Sequence, residues 1–195
     1  MSSAVVDLGS FETRAGYSGE DCPRSVIPSV AGLLAEGTED AKKDEDVEMR
    51  GAAKPQLVTG SNLTFKRDHM AIKPLFQTDT TIDFDILEDI LQTSLSSNLM
   101  LAIKETPLLF TENSIHNKDM RLKLTEFLFE KFKVPALFLC KDAVLSSFAC
   151  GRSSAIVLDS GCSKTTATPV HDGYALQKCI LRCSIGGETI TDRLE

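Results

Sequence analysis

The sequence predicts an α/β protein in which mixed sheets are flanked by helices, with a first lobe over residues 1–150 and the beginning of a second over residues 151–195. Two observations lead to this. An apolar strand that runs into an aspartate and then a glycine turn occurs twice, as Val5-Val6-Asp7-Leu8-Gly9-Ser10 and as Val157-Leu158-Asp159-Ser160-Gly161-Cys162-Ser163-Lys164-Thr165. Between these copies three strands give way to alternating helices and strands, and the three-strand opening then returns. That is a coarse internal duplication whose period is too long for a solenoid, and each half can cover a mixed sheet with helices.

The elements follow in order. Ala4–Leu8 is an apolar strand, and residues 13–19 are its hairpin partner, with glycines at the bends. Residues 25–30 form a third strand, which Pro28 places at an end or edge. Residues 36–56 are rich in Asp and Glu, poor in large apolar residues, and end in Gly51-Ala52-Ala53-Lys54-Pro55, the composition of a solvated insertion. A helix runs from Asp83, its N-cap, to Met100, with Ile86, Leu87, Ile90, Leu91, Leu95 and Leu99 on one stripe. Residues 107–110 are a buried strand. Asn117 caps a second helix that reaches Phe132 and turns Met120, Leu124, Phe127 and Leu128 inward. Residues 134–139 are a strand, and 142–150 a short helix closed by Gly151. Strands follow at 154–158, 164–170 and 174–181, the last two joined by the turn His171-Asp172-Gly173. A final helix starts at Glu188.

Bulk composition excludes several functions. A hydrophobic fraction of 42% supports a core, and a net charge of −7 argues against nucleic-acid binding through a basic surface. No apolar run of about 18 residues occurs, so no helix is expected to span a membrane. The start lacks the basic region of a secretory signal, so a cytosolic or nuclear setting is expected. Six cysteines include no CxxC pair and the three histidines, His69, His116 and His171, are isolated, which argues against zinc and for reduced thiols.

The two glycine turns carry the chemistry. Such a turn aims backbone N–H groups at a phosphate. An aspartate beside it can hold Mg²⁺ directly or through water. One copy is an ordinary strand-end turn, whereas two describe the jaws of a nucleotide cleft. The candidate cofactor-binding residues are Gly9, Ser10, Phe11 and Arg14 from one jaw and Gly161, Cys162, Ser163 and Lys164 from the other, with Asp7 and Asp159 as metal aspartates.

Longer motifs carry a family resemblance. Asp7-Leu8-Gly9-Ser10, Arg14 through Arg24, Ile27 through Gly32, Leu158-Asp159-Ser160-Gly161, Gly173-Tyr174-Ala175-Leu176 and Ile185 through Asp192 together resemble actin and the actin-related proteins over nearly the whole chain. The resemblance implies the actin-like ATPase (ribonuclease H-like) fold and a cleft for ATP with Mg²⁺. Residues 123–126, 135–141 and 169–174 are most similar to the nuclear actin-related subunit of SWI/SNF-type remodelling and NuA4-type histone acetyltransferase complexes. That likeness implies a non-catalytic nuclear subunit acting in chromatin organisation and transcription regulation. Its implied partners are a helix of the remodeller motor subunit, actin and other complex subunits. Histones are a further implied partner through the acidic segment at 36–56, which stands where actin has its DNase-binding loop.

Departures from the family pattern bear on catalysis. Arg14 stands where actin has the basic residue that reaches the phosphates. Asp142 precedes Ala143-Val144-Leu145 where actin has a water-orienting glutamine, and Cys162-Ser163 and Thr166 replace an Asp-Gly and a histidine. The phosphate-cradling backbone is therefore kept while water-orienting groups are changed, so nucleotide binding is compatible with the loops and efficient hydrolysis is not expected. By the same resemblance the chain stops within the second lobe. Only Gly187 is then available to the nucleoside, so weak or absent ATP binding is expected, as are exposed sheet edges and apolar faces.

Overall fold

The computed structural model describes residues 3–34, 56–65, 70–78, 81–113 and 117–195. In chain order the strands are β1 (Ala4–Leu8), β2 (Glu12–Tyr17), β3 (Ser25–Pro28), β4 (Val30–Leu34), β5 (Gln56–Val58), β6 (Met70–Pro74), β7 (Phe76–Thr78) and β8 (Thr81–Ile82). Helix α1 (Phe84–Leu91) runs into a π-helical segment (Gln92–Asn98). Then come β9 (Leu108–Glu112), α2 (Lys118–Glu130), β10 (Leu137–Lys141), α3 (Asp142–Ala149), β11 (Ala155–Ser160), β12 (Thr165–His171), β13 (Tyr174–Ala175), β14 (Leu181–Cys183) and α4 (Gly187–Leu194). The acidic segment up to Pro55, His69 and His116 lie outside the described residues.

The first sheet has the order β10-β9-β1-β2-β3. β1, β9 and β10 run parallel, while β2 and β3 return antiparallel, so the sheet is mixed as the sequence predicts. Ala4, Val6 and Phe110 are fully buried and meet Ile86, Leu87, Ile90 and Leu91 of α1 together with Leu124 and Leu128 of α2 in one core. Both predicted N-caps form. Asp83 accepts from the N–H of Asp85 at 3.1 Å and of Ile86 at 3.4 Å, and Asn117 accepts from Met120 at 3.1 Å. The parallel strands bring Leu8, Thr111, Glu112 and Lys141 to one end of the sheet, where open α/β sheets hold their ligands.

A second core joins Ala143 and Val144 of α3 to Val157, Val170 and Ala175. Helix α3 directly follows β10 of the first sheet, whose Cys140 joins this core, and packs on the second sheet, in which β12 pairs with β11, β13 and β14. The other face of β11 is bare, with Ile156 78% and Leu158 72% exposed.

Several expected elements differ in detail. The run 25–30 is two strands in two sheets, because Pro28 has no N–H to continue a ladder and Ser29 turns its backbone to other partners. Strand β10 starts at Leu137 rather than Val134; Val134 is buried in the core ahead of it. Asp159 lies within β11, which runs on to Ser160. Residues 174–181 are β13, a 3₁₀ turn (Gln177–Cys179) and the start of β14, since β13 and β14 pair with opposite ends of the same strand, β12. The three-stranded sheet β5-β4-β6 and the β7–β8 hairpin were not foreseen.

Phe110→Ala should lower unfolding free energy by about 3–5 kcal/mol, whereas Met100→Ala, at a side chain 85% exposed, should cost little; denaturant midpoints decide this. A second prediction concerns acid. Burial pushes the Asp83 carboxyl up, but the 2.6 Å bond from Lys73 and the N–H groups of Ile86 and Asp85 outweigh it, and the net pKa lies below the ordinary carboxylate value. A depressed folded pKa contributes stability above the unfolded value and loses it as pH falls through the folded value. The Asp83→Asn chain should therefore lose less stability than the parent between pH 5 and pH 2, both read by thermal melting.

Candidate nucleotide cleft

The first loop leaves β1 at Gly9. A Cβ there would lie 2.6 Å from the Glu12 carbonyl oxygen, to which the Gly9 N–H donates at 3.2 Å. Only glycine fits this turn. Ser29 then fixes the loop carbonyls: its hydroxyl donates to Gly9 O at 2.7 Å and its N–H to Phe11 O at 2.9 Å. With the carbonyls held, the N–H groups of Ser10 and Phe11 donate to no acceptor among the described residues. The Phe11 ring is exposed.

The second loop is held by a different device. Gly161 N–H donates to Lys164 O, while Gly161 O and Cys162 O accept the N–H groups of Gly187 and Glu188, each at 2.9 Å. These carbonyls satisfy amides in the first turn of α4 that would otherwise lack partners. A Cβ on Gly186 would stand 2.2 Å from Cys162 O, so this approach also requires glycine. The N–H groups of Cys162 and Ser163 have no acceptor among the described residues. The loops meet where the Ser10 and Ser163 hydroxyls lie 3.3 Å apart.

Three carboxylates converge here. Asp7 accepts a 2.8 Å bond from Thr111 Oγ1, whose oxygen also receives the Leu8 N–H at 3.0 Å. Arg14, the direct cross-strand neighbour of Asp7, sets Nη1 3.5 Å from its Oδ2 and Nη2 3.3 Å from Glu12. Asp142 heads α3 and accepts the Ala143 N–H at 2.6 Å. For Asp159, partial burial first, and then the charges of Asp142 and Asp7, push the carboxyl up, with Lys164 opposing. Burial pushes the half-buried Lys164 amine down, against the pull of Asp142 and Asp159 toward its charged form.

The structure thus brings Gly9, Ser10, Phe11 and Arg14 together with Gly161, Cys162, Ser163 and Lys164, and sets Asp7 and Asp159 beside them. Arg14 differs from expectation in resting on Asp7 and Glu12. Thr166 is buried at the strand core rather than open to the loops. Thr111 and Ser29 were missed. Thr111 directly follows the apolar run 107–110, which is a usable signal, whereas nothing local marks Ser29.

The paired amides and hydroxyls fit a phosphate group. Asp7 is already engaged by Arg14 and Thr111, and among the described residues no group of three His, Cys, Asp or Glu side chains is placed to ligate a metal directly, so Asp7 and Asp159 would hold Mg²⁺ through water rather than in a protein cage.

Two glycine loops facing each other from two sheets, with α3 packed beside them, define a mixed α/β protein whose paired loop amides suit a phosphate. The actin family model matches residues 1–195, and the chain belongs to the actin family. It is 40% identical over 208 residues to Actin-related protein 4 of Oryza sativa subsp. indica, covering 98% of this chain and 47% of that protein. Actin-related protein 4 of Arabidopsis thaliana is 39% identical over 212 residues, with 100% and 47% covered. That of Debaryomyces hansenii is 31% identical over 195 residues, with 100% and 39% covered. The chain spans less than half the length of these relatives.

The raised Asp159 pKa sets a sign. A folded-state pKa above the unfolded one, about 3.9, favours the fold below the unfolded value and loses that contribution as pH rises through the folded value. Asp159→Asn should therefore raise the melting temperature at pH 7, with the gain shrinking toward zero by pH 3.

Proposed function

We propose that the chain is a non-catalytic actin-related subunit of nuclear chromatin assemblies, of the SWI/SNF remodelling and NuA4 histone acetyltransferase types, acting in chromatin organisation and transcription regulation. Its likeness to relatives named Actin-related protein 4 supports the subfamily. The observation that carries the non-catalytic part is Asp142. Where the resemblance puts a neutral water-orienting amide, α3 presents a carboxylate that joins Asp7 and Asp159. A third negative charge opposes a polyphosphate, and its own bond to the Ala143 N–H occupies one oxygen. The partners in this reading are a helix of the remodeller motor subunit, actin and further complex subunits, with the acidic segment 36–56 offered to histones, all in the nucleus. Sequence-specific nucleic-acid binding and membrane association form no part of it.

A second reading, an ATP-binding member of the actin superfamily ATPases or a cytoskeletal actin-related protein, draws on the four loop amides that find no acceptor among the described residues. Two measurements separate these. Affinity purification of the tagged chain followed by mass spectrometry should recover remodeller or acetyltransferase subunits, and their complete absence overturns the proposal. Melting with 1 mM MgATP should shift the midpoint by less than about 1 °C. A larger shift together with phosphate release would favour the enzyme.

A further inference from the structure

Strand β11 opens the second sheet as β1 opens the first, but its outer edge is free. β1 has β2 on one side and β9 on the other, whereas among the described residues β11 pairs with β12 alone. The register says which backbone groups face outward. The Pro169 carbonyl accepts the Leu176 N–H, on the side of β12 away from β11. Ile156, opposite Pro169 in the β11–β12 pair, therefore turns its own N–H and C=O away from β12 to the free edge, and so does Leu158 two residues on. Nothing guards this edge. The run Ala155-Ile156-Val157-Leu158 carries no charge and no proline, and no bulge breaks its register with β12. The edge strands of the first sheet, by contrast, end in Pro28 and Lys141. The Ile156 and Leu158 side chains stand exposed on the bare face, and Ala167 continues that face to the exposed Leu181.

We infer that β11 is a homodimerisation strand: it pairs antiparallel with β11 of a second copy about a two-fold axis at Val157, joining the two second sheets into one. The strand is complementary to itself in this register. Ile156 falls opposite Leu158 of the second copy. Both have edge-facing backbone groups, so they exchange N–H···O=C bonds, and symmetry repeats the exchange. The same pairing merges the Ile156 and Leu158 side chains of both copies into one apolar band on the bare face. Asp159 lies opposite Ala155, so no carboxylates meet. Slipping the register by two in either direction places a serine, Ser160 or Ser154, opposite one of the apolar side chains. A foreign strand would have to bring its own matching apolar pair, whereas every copy of this chain carries one. The pairing needs neither nucleotide nor a chromatin partner, so its failure leaves the proposed function untouched.

The test uses the whole 195-residue chain, reduced and without nucleotide, in size-exclusion chromatography with light scattering from about 2 to about 200 μM. Its mass should rise with concentration from 21.2 kDa toward twice that value, with a micromolar dissociation constant in keeping with a small interface. Amide exchange at Ile156 and Leu158 should slow over the same range, while that at Val157, which faces β12, should not change. Leu158→Lys should stay at 21.2 kDa throughout and melt within about 1 °C of the dilute parent. Leu158→Pro removes an edge-facing N–H and should also be monomeric; the lysine variant carries the test should the proline variant not fold. A chain with Ile156→Lys and Leu158→Lys, and another with Ile156→Glu and Leu158→Glu, should each be monomeric alone and dimerise when mixed. A parent that keeps its monomer mass at the highest concentration, a dimer that survives Leu158→Lys, or charged chains that fail to pair overturns the inference.

Discussion

A single buried serine sets the shape of the first loop and ties three parts of the chain to it. Ser29 is fully buried, so each of its polar atoms needs a partner. The hydroxyl donates to Gly9 O and lies 2.9 Å from Thr13 Oγ1, the N–H donates to Phe11 O, and the carbonyl receives the Leu75 N–H at 2.9 Å. Strand β2, the loop and the turn between β6 and β7 are thereby fixed against one another. The loop amides face outward because the carbonyls are bound inward.

The two loops reach the same end by unlike means. One is braced by a side chain beneath it, the other by the first turn of a helix. What they share is the result: adjacent N–H groups without acceptors among the described residues on each side of a narrow gap. The cleft's electrostatics do not share that symmetry. Asp7 has an arginine and a threonine as immediate neighbours, whereas Asp159 has other carboxylates and one half-buried amine, and its pKa moves upward.

Much of this was legible in the sequence, for physical reasons that differ by element. Helix α1 could be read because its apolar spacing and its Asp83 cap act within one turn of the residues they organise. Strands β1 and β11 were legible as apolar runs ending in a fixed loop chemistry. The small sheet β5-β4-β6 was not, since its strands are short, Met70–Pro74 ends in a proline, and pairing crosses a long acidic stretch. In the cleft the loop residues were legible as types. The engagement of Arg14 was not, because it depends on the register that sets it opposite Asp7. The surroundings of Lys164 were hidden likewise: Asp142 and Asp159 reach it from two different elements.

The bonds from Gly187 and Glu188 to the second loop have a mechanical meaning. Helix α4 and that loop share their hydrogen bonds, and with Gly186 pressed against Cys162 there is no slack between them. The helix is in effect a lever whose short arm is the loop. A force that tilts α4 re-aims the amides of Cys162 and Ser163, and whatever seats itself on those amides steadies the helix in return.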